Sequence, residues 1–137
     1  MKNLIKLEEA AMFLLSIILI SRLPFAWYWW LIWILAPDLS MIAYLGGNRV
    51  GAFGYNLVHH KGTAIAIYAV GLFTNHPALE FAGMILFGHS CMDRAMGYGL
   101  KYVTGFGNTH LGKIGKAAKT LNPSPAANAA KAPNSEP

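Results

Sequence analysis

Long uncharged stretches separated by short polar interruptions run through the first hundred residues. Residues 10–21, 23–37 and 62–79 contain no Asp, Glu, Lys or Arg. Such stretches approach the roughly 20 residues that a helix needs to cross the hydrocarbon core of a bilayer. They predict four spans, over about residues 7–21, 25–45, 50–73 and 78–100. The first is the shortest and starts at Glu8 and Glu9. The second opens with Trp27-Tyr28-Trp29-Trp30, residue types that favour the membrane interface, and is broken by Pro37, which has no amide hydrogen to donate. Lys61 falls inside the third span, either as an internal cation or as the mark of a break. In the second case His59-His60-Lys61-Gly62 forms a polar kink or a loop between two shorter helices. Thr74-Asn75-His76-Pro77 is a turn signal before the fourth span. The predicted fold is therefore all-α, an integral membrane helical bundle of about four spans, some of them broken or kinked.

Composition agrees with that pattern. Of the 137 residues 55% are hydrophobic and 12% charged, against about 25% charged in soluble domains. Lys2, Lys6, Arg49, Lys101, Lys113, Lys116 and Lys119 fall on one side of the predicted spans and Arg22 on the other, so the enrichment of cytoplasmic loops in Lys and Arg places both termini in the cytoplasm. The net charge of +5 thus suits anionic lipid head groups and gives no reason to invoke nucleic acid. Membrane lipid is the expected partner, with a homo-oligomer also open. Ser21-Arg22-Leu23-Pro24 lacks a small-x-small cleavage site, against a removable signal peptide. The single Cys91 excludes an internal disulfide. Residues 121–137, rich in Ala, Asn and Pro, have little to bury and are expected to be a disordered tail behind a transmembrane domain over 1–120.

Against this apolar background, His89 and Asp93 stand four residues apart on one face of the fourth span. Ionisable groups inside a membrane are expensive and mark sites. Depth counted from Gly46, Arg49 and Lys101 puts Asp38, Asn56, His59, His89 and Asp93 roughly 10–18 Å below the cytoplasmic boundary. These five are candidate metal ligands, because helical bundles build metal sites from inward carboxylates and imidazoles, and such donors suit zinc, iron or manganese. Glu8 and Asp38 are candidate catalytic carboxylates, Glu8 as general base. The plainer reading is that His and Asn bond neighbouring helices while Asp93 pairs with Arg94 or Arg49. Beyond the fourth span, Gly97, Gly99, Gly105 and Gly107 permit a turn back over the polar layer, which would bring Lys101 and His110 to a phosphate or carboxylate. An interfacial segment anchored by Tyr and Phe is the alternative. Gly46-Gly47 and Gly51-x2-Gly54 form no phosphate loop and suit close helix packing.

Leu7-Glu8, residues 37–41, Tyr55-Asn56-Leu57-Val58-His59, residues 89–94, Gly97-Tyr98-Gly99-Leu100-Lys101-Tyr102, Gly105-Phe106 and Thr109-His110-Leu111-Gly112 resemble the small bacterial membrane proteins grouped as domain of unknown function 4260. The resemblance covers about residues 4–115. It implies an integral protein of the bacterial inner membrane and brings no activity. The Pro-Asp and His elements also resemble membrane-bound metal-dependent hydrolases, though Ser40 stands where their second Asp would be. Three functions follow: a metal-dependent hydrolase acting on an amphipathic substrate; a module binding or moving an ion, a proton or a cofactor, including a b-type haem held by His59 and His89; or a structural, partner-binding membrane protein.

Overall fold

The structure is a computed structural model that describes residues 1–115. The expected tail at 121–137 lies outside the described residues. Helices α1 (Lys2–Ile20) and α2 (Trp27–Trp33) are followed by a 3-10 helix (Ala36–Gly46), then by α3 (Asn48–His59), α4 (Lys61–Thr74) and α5 (Pro77–Met96). A two-stranded antiparallel hairpin of β1 (Asn108–Thr109) and β2 (Gly112–Lys113) closes the described chain. Its register pairs Asn108 with Lys113 and Thr109 with Gly112.

The helix boundaries have local causes. Pro37 has no amide hydrogen, so the second apolar stretch cannot continue as an α-helix, and it tightens into the 3-10 helix after Trp33. The third stretch breaks at His60, which is extended (φ −85°, ψ 117°). Asn75, left-handed at φ 52°, and Pro77 at the first turn of α5 separate α4 from α5. Gly97, at φ 96°, ends α5: its amide bonds Arg94 O at 3.0 Å and the Tyr98 amide bonds Asp93 O at 2.8 Å. This double closure needs a left-handed residue and turns the chain back sharply.

Among the described residues, Trp27–Gly46 alone is long and apolar enough to cross a membrane. The other expected spans fall short for separate reasons. Helix α1 carries Lys2, Lys6, Glu8 and Glu9, and α5 carries Glu80, Asp93 and Arg94. Helix α4, with 14 residues, reaches only about 21 Å.

Packing divides the helices into two groups. Helix α5 lies against α1 and α4, while α3 lies along the 3-10 helix and touches α5 and α4 less extensively. Ile20, Met84 and Ile85 form a small apolar core with Trp30, Tyr68, Phe81 and Phe87 around it. The rest of the interior is unusually polar: Glu9, Ser16, His59, His89, Ser90, Asp93, Lys101 and Thr109 are all buried. Conversely Leu7, Leu14, Ile18, Trp27, Ile32 and Phe73 are exposed.

The α4–α5 contact depends on Gly83. A Cβ there would come within 2.6 Å of the Tyr68 amide nitrogen and 2.8 Å of Ala64 O, and backbone cannot step aside as a flexible side chain can. Gly83→Val is expected to destabilise the protein by about 1–3 kcal/mol, the usual cost of overpacking, seen as a lower thermal midpoint. An unchanged midpoint would mean that the two helices do not meet so closely.

Candidate metal centre

Four donor side chains from three elements converge. His89 and Asp93 sit one turn apart on α5 and point the same way, as residues four apart on a helix do. His59 is the last residue of α3, and Asp38 lies in the first turn of the 3-10 helix. One ligand atom from each lies within 4.8 Å of all the others. The two Nε2 atoms are 3.0 Å apart. Asp38 Oδ1 is 3.3 Å from His89 Nε2 and 3.7 Å from His59 Nε2. Asp93 places Oδ1 3.7 Å from His89 Nε2 and Oδ2 3.7 Å from His59 Nε2.

The far side of each imidazole decides what these nitrogens are. His89 Nδ1 lies 2.7 Å from Ile34 O, and His59 Nδ1 lies 3.0 Å from Tyr55 O. A carbonyl only accepts, so each Nδ1 carries the proton and donates it. With the Nδ1 atoms so engaged, the two Nε2 atoms face each other across 3.0 Å, with two carboxylates alongside. Such an array needs a positive charge within it. A shared proton would engage the two nitrogens, whereas a metal ion engages all four groups. Tetrahedral ligation with bonds of 2.0–2.1 Å sets donor atoms about 3.3 Å apart, close to the separations found. Carbonyl acceptors behind ligating imidazoles are also the usual device for fixing tautomer and ring orientation at metal centres.

The break at Pro37 supplies one of those acceptors. In a continuing helix Ile34 O would accept from the amide of residue 38. Here the Asp38 amide bonds Leu35 O at 3.2 Å and Pro37 has no amide hydrogen. Ile34 O is therefore left free for His89. The same discontinuity frees the acceptor and points Asp38 into the centre.

Tyr55 supports the centre twice. Its hydroxyl donates to Asp93 Oδ2 at 2.8 Å, and its ring stacks on His59 with centroids 3.7 Å apart. Tyr55→Phe keeps the stacking and removes the hydroxyl, so metal affinity is expected to fall about 10–100-fold, as for other groups that orient ligands. Titration with a competing chelator measures this, and an unchanged affinity would deny Tyr55 the orienting role. Neither Tyr55 nor the Ile34 carbonyl is a candidate by residue type. Tyr55 is signalled in the sequence by its position four residues before His59 and by its place in the stretch that carries the family resemblance.

The remaining candidates are placed elsewhere. Both polar atoms of the Asn56 amide bond the Lys101 backbone, Nδ2 donating to Lys101 O at 2.8 Å and Oδ1 accepting from Lys101 N at 2.7 Å. The residue clamps the segment after α5. Glu8 is exposed on α1, while Glu9 turns inward and pairs with Lys61. Neither Arg94 nor Arg49 forms an ion pair with Asp93. His110 accepts the Leu100 amide at Nδ1 (2.8 Å) and lines a separate hollow with Lys2, Lys6 and Arg94. As for haem, the two imidazoles meet at 72° with centroids 4.9 Å apart, which leaves no slot between them for a flat macrocycle.

Residues 98–114 do fold back as a cover. Lys101 bridges to Thr109, and its side chain enters a cleft of about 330 Å³ that also meets Asp38, Tyr55 and Asp93. Its ammonium lies 4.1 Å from the Phe106 ring centroid and 5.0 Å from that of Tyr55. Burial pulls the Lys101 ammonium below the usual lysine range, opposed by the negative charges of Asp93 and Asp38.

A family model described as "Domain of unknown function (DUF4260)" matches residues 2–114. The chain belongs to that family. The DUF4260 match takes in the four donors, Tyr55 and Lys101. No curated protein and no solved structure matches the chain.

Proposed function

We propose that this DUF4260 chain is a membrane-embedded, metal-dependent hydrolase acting on an amphipathic substrate, with a divalent ion held by His59, His89, Asp93 and Asp38. The observation that carries the reading is the facing pair of imidazole lone pairs, fixed by the Ile34 and Tyr55 carbonyls and flanked by two carboxylates. Two imidazoles with two carboxylates suit zinc, iron or manganese. An ion of this kind supplies a Lewis acid and lowers the pKa of a coordinated water.

The chain's own groups divide the remaining work. His59, His89 and Asp93 lie deep and fix the position of the centre. The Asp38 side chain is 39% exposed and faces the cleft, which suits it to accept a proton from water there. With Oδ1 toward the imidazoles, Asp38 offers Oδ2 for the general-base role expected of Glu8, which is exposed on α1. The cleft's apolar walls, Leu35, Met41, Met92 and Met96 among them, fit the chain of an amphiphile.

A membrane location is supported by the inverted distribution of side chains, polar within and apolar without, because an apolar exterior of this extent is rare on monomers in water. On this reading the segment Trp27–Gly46 spans, α1 and α5 cross beside it with their polar residues turned inward, and α3 and α4 share the remaining crossing. Both termini face the cytoplasm.

Elemental analysis of full-length protein, extracted with detergent from alkali-washed membranes, tests both parts. The expected result is about one transition-metal ion per chain. Protein released by the wash, or retained but free of metal, would overturn the corresponding part.

A further inference from the structure

Lysine is almost never fully buried unless it is paired. Lys101 is 4% exposed, yet among the described residues no carboxylate oxygen lies within 4.0 Å of its ammonium. The burial is imposed by the backbone. Asn56 holds both the amide and the carbonyl of Lys101, and the Leu100 carbonyl accepts the His110 amide at 3.1 Å. The backbone at Lys101 is therefore held on both sides, with the side chain turned inward. The Tyr55 and Phe106 rings flank the ammonium. Ring faces attract a cation without saturating its three donor hydrogens. Those donors open on the cleft that meets Asp38 and Asp93.

We infer that Lys101 is the head-group subsite of the cleft, and that the substrate is a phosphorylated amphiphile whose phosphate oxygens accept from the Lys101 ammonium while its chain lies along Leu35, Met41, Met92 and Met96. This deepens the metal-centre reading and rests on it, since two carboxylates repel an approaching anion unless a cation sits between them. A phosphate carries three terminal acceptor oxygens, so it reaches the lysine and the centre together. The cleft volume of about 330 Å³ falls within the range of small-ligand pockets; Lys101 with Asp38 and Asp93 makes its polar part, and thioether, aliphatic and aromatic side chains make the rest, which fits a head group on an apolar chain once a cation offsets the two carboxylates.

The test is the binding of dodecyl phosphate and of inorganic phosphate to the full-length protein in a non-ionic detergent, by calorimetry, with metal content measured on the same samples. Wild-type protein is expected to bind dodecyl phosphate, and inorganic phosphate at least tenfold more weakly. Lys101→Met is expected to weaken dodecyl phosphate about tenfold or more, the loss of a charge-assisted contact, while its metal content stays at the wild-type level. Met41→Glu, which adds a negative charge to the cleft wall, is expected to weaken binding as well, and keeps the test open should Lys101→Met misfold. Undiminished binding in the metal-loaded variants would overturn the lysine subsite and leave the metal centre standing. Equal affinity for inorganic phosphate would overturn the amphiphile. Metal-free wild-type protein that still binds dodecyl phosphate through Lys101 would overturn the dependence on the metal centre and leave the lysine subsite standing.

Discussion

His89→Ala and His59→Ala protein, purified in detergent, is expected to retain less than about a tenth of the metal bound by the parent chain, because a two-imidazole centre that loses one imidazole loses its soft donor balance and its geometry together. The loss follows from the site's construction. Each ring is fixed by a carbonyl, at 2.7 Å for His89 and 3.0 Å for His59, and among the described residues no fifth His, Cys, Asp or Glu joins the four donors. His60→Ala is the control. His60 is adjacent in sequence but exposed, and its removal should leave the metal content unchanged. Circular dichroism on each variant separates loss of metal from loss of fold, which matters for His89→Ala because it also leaves the buried Ile34 carbonyl without its donor. Retention of a full equivalent of metal by both folded His→Ala variants would place the ion elsewhere.

Removing the ion from the unaltered protein should also destabilise it strongly. With the centre empty, two carboxylates and the two Nε2 atoms lie within 4.8 Å of one another, and only the Asp38 side chain is substantially open to water. A ligand present at 100 times its dissociation constant stabilises the folded state by about 2.7 kcal/mol, and chelation withdraws that amount. The expected result is a lower thermal midpoint in the presence of a chelator, restored by returning the metal and absent in His59→Ala. Acidification should act in the same direction, since imidazole ligates only when neutral and protons compete with the metal. A midpoint insensitive to a chelator that demonstrably strips the ion would show that the four groups tolerate one another without it, for instance through a shared proton.

Parts of this arrangement can be read from the residues alone, and the reasons are specific. The spacing of four between His89 and Asp93 dictates a common face on any helix, whatever the helix packs against. Pro37 and the polar run at His59–Gly62 both coincide with breaks, because a missing amide hydrogen and a cluster of polar groups act locally. Depth along the helix groups Asn56 with the donors. It could not reveal that Asn56 faces a backbone segment 45 residues away, since such pairings depend on how the chain after α5 returns. The same limit applies to His110, which shares a turn with Lys101 but lines a different hollow. The Ile34 carbonyl was out of reach altogether. Any residue at position 34 would offer one, so its role leaves no mark on side-chain identity.

The chain's division into two packed groups bears on the centre itself. Helix α5, with α1 and α4, contributes His89 and Asp93; the 3-10 helix, with α3, contributes Asp38 and His59. Each group thus owns one imidazole and one carboxylate, and neither owns a complete set. A cation shared by the four would act as a clasp between two groups that otherwise meet through fewer contacts. Their grip on the ion and the ion's grip on the closed form would be one and the same free energy, so an event that parts the two groups would also release the ion.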